Sequence, residues 1–410
     1  MSEPMKLDTA DLPPGVVERV PEALWTRLVA LRHALHRRPE LAFEERESQE
    51  RLRRELERLD PADLQEVAGT GLVARIAGRD RSLPPVVVRG DMDALPIQEE
   101  TGAPFASEVP GRMHACGHDV HSSWAVGAAA LLAAEPAAGD VLVLLQPAEE
   151  VGRGAPAVLE AGALDGAAAI FGGHVDLRFE LGTVVAEPGP LAASGDAFSI
   201  TLVGRGAHGA RPHEGRDPLV AGAALVSALQ TVVSRRLAPG TPAVLTVATF
   251  RAGSASNVIP ERAELTGTLR ALDPAVRETQ QREVATIARG VADAHGIEIR
   301  TEIDEGPPPL INDGGAAEQA RRAAHRVLGP EALRALPEPN LAGEDFAFYL
   351  EEVPGCFLRI GARRPDDPVV SAHAPRFLPR DEAVIVGAAL LAECAREASG
   401  AGGDGVDGGP

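Results

Sequence analysis

The densest chemistry in the 410-residue chain lies in nine positions, Met113-His114-Ala115-Cys116-Gly117-His118-Asp119-Val120-His121. Imidazole nitrogen and thiolate sulfur suit borderline and soft divalent metals, and a carboxylate beside them adds a hard ligand. Three more polar clusters stand at the ends of apolar runs: Asp91-Met92-Asp93, Glu149-Glu150 and His174. A further histidine, His373, occurs in Ser371-Ala372-His373-Ala374-Pro375. One thiol with several imidazoles and carboxylates is enough to hold two divalent ions and leave a water position open. That set suits two-metal hydrolysis, in which both ions activate a shared water and polarise the scissile carbonyl while a carboxylate of tuned pKa moves the proton. The stretch Gly204-Arg205-Gly206-Ala207-His208-Gly209 fits G-x-G-x-x-G, but a dinucleotide fold opens its helix within the glycines, and here ARPHEGRD intervenes before Pro218. No G-x-S-x-G elbow is present, and Ser122 and Ser123 beside His121 are a weak nucleophile signal.

These groups need elements to bring them together. VVVRG (86–90) and VLVLLQ (141–146) are continuous apolar, β-branched runs with polar ends, and AAAIFGGHV (167–175) is a weaker third. That pattern predicts strands buried on both faces, with their polar tails where parallel sheets place ligands. A helix predicted from about Asp119 to Ala134 lies between the first two strands, giving the strand–helix–strand order of a parallel sheet covered by helices. Residues 22–59 predict two helices broken at Arg38-Pro39, since proline disfavours helix before it. From Ala197 the texture changes to alternating strands, with helices predicted from Asp217-Pro218 to about Arg236 and from Pro274 to His295. The order β-α-β-β-α-β over 197–303 is the split βαβ, ferredoxin-like arrangement of a small domain inserted in a larger one. A last apolar helix is predicted at 381–397, and the glycine-rich end reads as a disordered tail.

Composition narrows the chemistry further. Forty basic against 60 acidic residues give a net charge of −20, which repels nucleic acid and anionic membrane surfaces. The one lysine is Lys6, so neither a Schiff-base lysine nor a P-loop lysine is available. Three cysteines are too few and scattered for a disulfide framework, and the first residues lack a basic segment followed by an apolar one. The expectation is a soluble cytoplasmic protein without a membrane span.

RGDMDALPIQEETG, MHACGHDVHSS, QPAEE, GGHVD, GRGAHGARPHEGRDP, SASNVIPERAELTGTLR, AGEDFAFYL and AHAPRFLPRDEA together resemble the M20 metallopeptidase/amidohydrolase family, from about Leu31 to Cys394. The resemblance is to its branch of N-acyl-amino-acid, hippurate and indoleacetyl-amino-acid hydrolases. It implies an α/β, zinc-peptidase-like catalytic domain with a mostly parallel sheet, over 1–190 and 305–398. A ferredoxin-like βαββαβ lid and dimerisation domain would interrupt it over 191–304, and 399–410 would be the tail.

The motifs carry over residue by residue. Cys116, His118, Glu150, His174 and His373 match the metal ligands, implying two divalent ions per chain: zinc, manganese or cobalt. Glu149 matches the general base, and Asp93 the carboxylate that orients a ligand histidine. His208 resembles the lid histidine that reaches the partner subunit's site and helps hold the oxyanion. Asn257 and Arg270 match positions associated with the substrate carboxylate, for which an arginine fork is well shaped. His114 and His121 are not ligands in the family pattern and read as pocket or supporting residues, as do Glu344 and Asp345. Ala372 and the VDLRFELG segment depart from relatives and bear on acyl preference.

The expected activity is cleavage of N-acyl amino acids by a cytoplasmic homodimer with no nucleic-acid or membrane partner. The alternatives are an M20-type dipeptidase or carboxypeptidase, or a non-catalytic binding homologue, against which retention of both Glu149 and Glu150 argues.

Overall fold

The continuous apolar runs at 86–90 and 141–146 become strands, and arginine-rich stretches such as 22–37 and 46–57 become helices. The computed structural model describes residues 12–337 and 340–400; the extreme N-terminus and the glycine-rich tail from 401 lie outside the described residues. In chain order the elements begin with α1 (Pro14–Arg19), α2 (Glu22–Arg37), α3 (Arg46–Glu57), β1 (Asp63–Val67), β2 (Gly71–Ile76), β3 (Val86–Asp91), α4 (His118–Ala134) and β4 (Val141–Gln146). Then come α5 (Gly154–Glu160), β5 (Ala169–Glu180), β6 (Val184–Val185), β7 (Gly189–Ala192), β8 (Asp196–Val203), β9 (Ala207–His208), α6 (Pro218–Leu229), β10 (Ala243–Ala252), β11 (Val258–Ile259) and β12 (Arg262–Ala271). The chain ends with α7 (Pro274–His295), β13 (Glu298–Asp304), β14 (Leu310–Asn312), α8 (Gly314–Leu328), α9 (Phe346–Glu352), β15 (Gly355–Arg363) and α10 (Glu382–Gly400).

The chain forms two compact units, one of residues up to Gly189 with Asn312–Pro337 and Phe348 onward, the other of Pro190–Ile311 with a segment ending at Ala347. In the first, seven strands run in the order β1-β2-β4-β3-β5-β15-β6. The central four, β4, β3, β5 and β15, are parallel, and antiparallel strands extend both edges. β3 and β4 are buried at every position, as both-face coverage demands. The core of this unit gathers Leu28, Val88, Trp124, Val143, Phe171, Leu358 and Val386, drawn from helices and strands alike. The third run extends further than its sequence suggested: β5 continues past His174 because β15 pairs with it through Asp176 and, beyond a register shift, at Glu180.

The second unit has an antiparallel sheet in the order β10-β12-β8-β13 and its own core of Phe198, Leu225, Leu245, Leu265 and Val284. Its element order is β8-α6-β10-β12-α7-β13 around short connecting pieces. Asp217 and Asp273 cap α6 and α7, each accepting two backbone N–H groups ahead of a first-turn proline. The first of these helices stops at Leu229, and residues 232–236 form a π-helical turn instead of its continuation.

Candidate metal centre

The parallel strands deliver their polar ends to one region of the first unit. Asp91 closes β3 and is held by Arg89 at 2.5 Å, whose Nε donates to Gln146 on the neighbouring β4 at 2.8 Å. Burial alone would raise the Asp91 carboxyl, but Arg89, His118 and His121 hold it well below the carboxylate range. Asp91 in turn accepts from His121 Nδ1 at 2.7 Å, and His121 Nε2 accepts the Val175 N–H at 3.0 Å. The carbonyl of the same residue, Val175, accepts from His174 Nδ1 at 2.6 Å. His174 Nε2 is thereby fixed as the free lone pair, and it lies 3.0 Å from Cys116 Sγ. Burial first, then the nearby His121 and Arg359, push the His174 pKa well below its usual value, so its imidazole is neutral and ligand-competent.

The Cys116–His118 pair depends on Gly117. Its φ of +92° is left-handed, and a β-carbon there would lie 2.5 Å from Val175 Cγ2, so glycine alone lets both neighbours face the strand ends at the start of α4. His118 Nδ1 donates to Asp93 Oδ1 at 3.2 Å. Asp93 also receives the N–H groups of Glu149 at 3.1 Å and Glu150 at 3.0 Å, so one carboxylate orients the histidine and anchors the paired glutamates. The last predicted ligand, His373, is itself left-handed at φ +67°, its backbone N–H tied to the Ala115 carbonyl at 2.8 Å. Its Nε2 stands 3.3 Å from Glu150 Oε2.

Ligand atoms within 4.8 Å of one another define overlapping groups: Cys116–His118–His174, Cys116–Glu150–His373 and His118–Glu149–Glu150, beside the interior group Asp91–His118–His121. Cys116 belongs to two of them. His118 Nε2 and Glu150 Oε1 are buried without a hydrogen-bond partner, although each lies among other ligand atoms. Buried polar atoms are rarely left so, and a cation would satisfy both. The electrostatics agree: burial would lower the His118 pKa, yet Asp91, Asp93 and Glu150 raise it to about 10, so the pocket draws positive charge. Glu150 is kept ionised, its burial outweighed by His373 and His118. The donor set fits divalent metals of the zinc, manganese and cobalt class.

The remaining predicted residues belong to the second unit. His208 on β9 and Val258 on β11 are cross-strand partners, and the Gly209 N–H donates to the Asn257 carbonyl at 2.7 Å. Exposed His208 and Asn257 thus line one shallow depression, along with Gly206, Gly253 and Arg262. The Ala210 N–H donates to His208 Nδ1 at 3.1 Å, which leaves Nε2 as the donor of the neutral ring. Arg270 is not brought to them: it sits near the far end of β12 from Arg262, roughly 26 Å of extended strand away. There its guanidinium donates to the carbonyls of Asp196 and Leu269. Burial lowers the Arg270 pKa from its usual value, partly opposed by Asp196. A separate hollow of about 580 Å³ in the first unit, lined by Arg32, Phe105, Leu177 and Arg363 among others, holds none of the predicted residues.

Sequence reasoning named Asp91 without giving it work and left His121 as a supporting residue; their link to His174 through the Val175 peptide emerges only once α4 and β5 are adjacent. Buried Glu45, which bonds the Ala148 N–H, had no sequence signal.

The profile of Peptidase family M20/M25/M40 matches residues 87–397. The chain is 39% identical over 378 residues to an N-acetylcysteine deacetylase of Bacillus subtilis (strain 168), covering 91% of this chain and 97% of that one. It is 36% identical over 376 residues to the Arabidopsis thaliana IAA-amino acid hydrolase ILR1-like 5, covering 90% and 86%. The crystal structure of a Bacillus subtilis protein described as a dinuclear metal-binding peptidase from the M20 family superposes with a TM-score of 0.81 at 36% identity, covering 92% and 98%. On the extent of these matches, and with the motif residues converging as described, the chain belongs to peptidase family M20/M25/M40.

Proposed function

We propose that this metal-dependent amide hydrolase cleaves N-acyl amino acids to a carboxylic acid and a free amino acid at a dinuclear centre. The observation that carries the reading is the sharing of Cys116 between two ligand groups, with Glu149 grouped beside His118 and Glu150. One group is Cys116–His118–His174 and the other Cys116–Glu150–His373, and these residues would hold the two cations. The chemistry that bound divalent cations supply in such a site is Lewis acidity, which acidifies water and polarises an acyl carbonyl. Glu149 is free of ligand duty in this division and takes the proton of the attacking water, then returns it to the leaving amine. Asp93 holds the amide of Glu149 and the ring of His118 in register for this. His208 donates from Nε2 to the developing oxyanion.

Asn257 and Arg270 are the proposed holders of the substrate carboxylate. Their separation along the second unit means that one chain does not clasp a single carboxylate with both, so a homodimer would supply them from different copies. A dimer is supported by the outer face of α6, where Leu219 and Val220 are exposed near Phe250 of the edge strand β10. The reading of a cytoplasmic enzyme is supported by three buried cysteines that are not joined in disulfides. Among the described residues no helix is long and apolar enough to cross a membrane.

The test is primary-amine release from acetyl-, benzoyl- and indoleacetyl-amino acids and matching dipeptides, with enzyme reconstituted in turn with zinc, manganese and cobalt. Chelator-sensitive release confined to acylated substrates is expected. Preference for dipeptides with a free amine would replace this reading with a peptidase.

A further inference from the structure

The turn that presents Glu149 is gripped by a second buried carboxylate that the reaction above leaves unused. Glu45, immediately before α3, is fully buried. Its Oε1 accepts the Ala148 N–H at 3.0 Å, and its Oε2 is 2.5 Å from Thr70 Oγ1. Ala148, also fully buried, has φ +55°, a left-handed conformation that disfavours any residue bearing a β-carbon. The Ala148 carbonyl is pinned as well, by the N–H groups of Arg153 and Gly154 at 3.3 and 3.0 Å. A β-carbon on Gly154 would fall 1.7 Å from the Pro147 carbonyl oxygen, so the loop from 147 to 154 closes tightly on itself. Three successive amides, those of Ala148, Glu149 and Glu150, therefore end on two buried carboxylates, Glu45 and Asp93. The first sets a strained backbone angle, and the next two residues carry the base and a ligand.

We propose that Glu45 is a positioning residue for hydrolysis: by holding the Ala148 N–H it keeps that residue left-handed and so aims the Glu149 carboxylate at the reacting water. The proposal rests on Glu149 being the general base. Glutamine at position 45 can still accept from Ala148 through its carbonyl and donate to Thr70, whereas alanine can do neither. Glycine at position 148 adopts the left-handed angle without help, so it reduces the need for Glu45.

The experiment compares Glu45→Gln, Glu45→Ala, Ala148→Gly and the double variant Glu45→Ala/Ala148→Gly in the full chain reconstituted with metal. It reads kcat and KM on the best N-acyl amino acid of the panel, bound metal per chain, and the crystal structure at Ala148. Expected are near-normal kcat for Glu45→Gln, a kcat about 100-fold lower for Glu45→Ala with KM and metal content kept, and recovery of most of that loss in the double variant. In Glu45→Ala crystals Ala148 should leave the left-handed region. Wild-type kcat in Glu45→Ala, or a loss that glycine at 148 does not relieve, overturns the proposal. If Glu45→Ala does not fold, Glu45→Asp withdraws the carboxylate from Ala148, and unchanged kcat there overturns it equally. A wild-type enzyme that cleaves no acyl substrate would instead sink the acyl-amino-acid reading. The crystal comparison then decides Glu45 alone, and Ala148 unmoved without Glu45 counts against it.

Discussion

Two glutamates adjacent in sequence have different surroundings. Glu150 sits between His118 and His373 and is held ionised among ligand atoms. Glu149 shares the Asp93 anchor, and its Oε2 stands 3.8 Å from His118 Nε2. If Glu149 is the proton carrier and not a ligand, Glu149→Gln should lower kcat by several orders of magnitude while two metal ions per chain survive gel filtration. Metal analysis beside steady-state kinetics checks this, and near-normal turnover would refute the assignment. The cysteine carries the complementary lesson. Cys356 and Cys394 are buried with thiol pKa values pushed up by desolvation, whereas Cys116 lies against His174 and enters two ligand groups.

At the scale of elements, α2 is tied to α4 by a chain of buried charges. Arg32 donates to Asp119 at 3.1 Å and to Asp381 at 2.6 Å, and His36 bridges Asp119 at 2.9 Å and Glu99 at 3.3 Å. Burial would lower the His36 pKa, but Asp119 and Glu99 raise it to about 9 from 6.5. Because the folded value is raised, the protonated histidine contributes stability that is full below about pH 6.5 and lost as pH rises through about 9. The shift corresponds to at most about 3 kcal/mol. Thermal melts between pH 6 and 9.5 should show Tm falling with pH, and His36→Gln should remove much of that slope; an unchanged slope would assign it elsewhere. None of this network was legible beforehand, since its partners are 63 to 349 positions apart in sequence. The strands were legible because both-face burial writes a continuous apolar run, and the candidate ligands because soft and charged groups cluster at their ends. What stayed hidden were backbone facts: the left-handed turns at Ala148 and His373, and the Val175 peptide that joins His121 to His174. No residue type announces those: alanine seldom adopts such angles, and histidine adopts them more readily but still in a minority of cases.

Whole-molecule function turns on how many copies make one working site. His208 is exposed on the second unit, its Nδ1 already engaged by the Ala210 N–H and its Nε2 presented as a donor. Leu219 and Val220 of α6 and Phe250 of β10 are exposed apolar side chains on that same unit, the kind of surface that closed two-fold dimers bury. If His208 serves the neighbouring copy, a variant lacking it and a variant lacking the base fail for different reasons and should complement each other. Inactive Glu149→Gln and inactive His208→Ala, mixed in equal amounts and allowed to exchange subunits, form heterodimers in which one site carries both lesions and the other carries neither. Half the dimers are then mixed and half of their sites are intact, so activity should return to about a quarter of the wild-type value. Size-exclusion chromatography with light scattering fixes the dimer, and an assay before and after exchange reads the recovery. A dimer that exchanges yet recovers nothing would mean that His208 works within its own chain, and the depression it shares with Asn257 would then have to meet a substrate without help from a second copy.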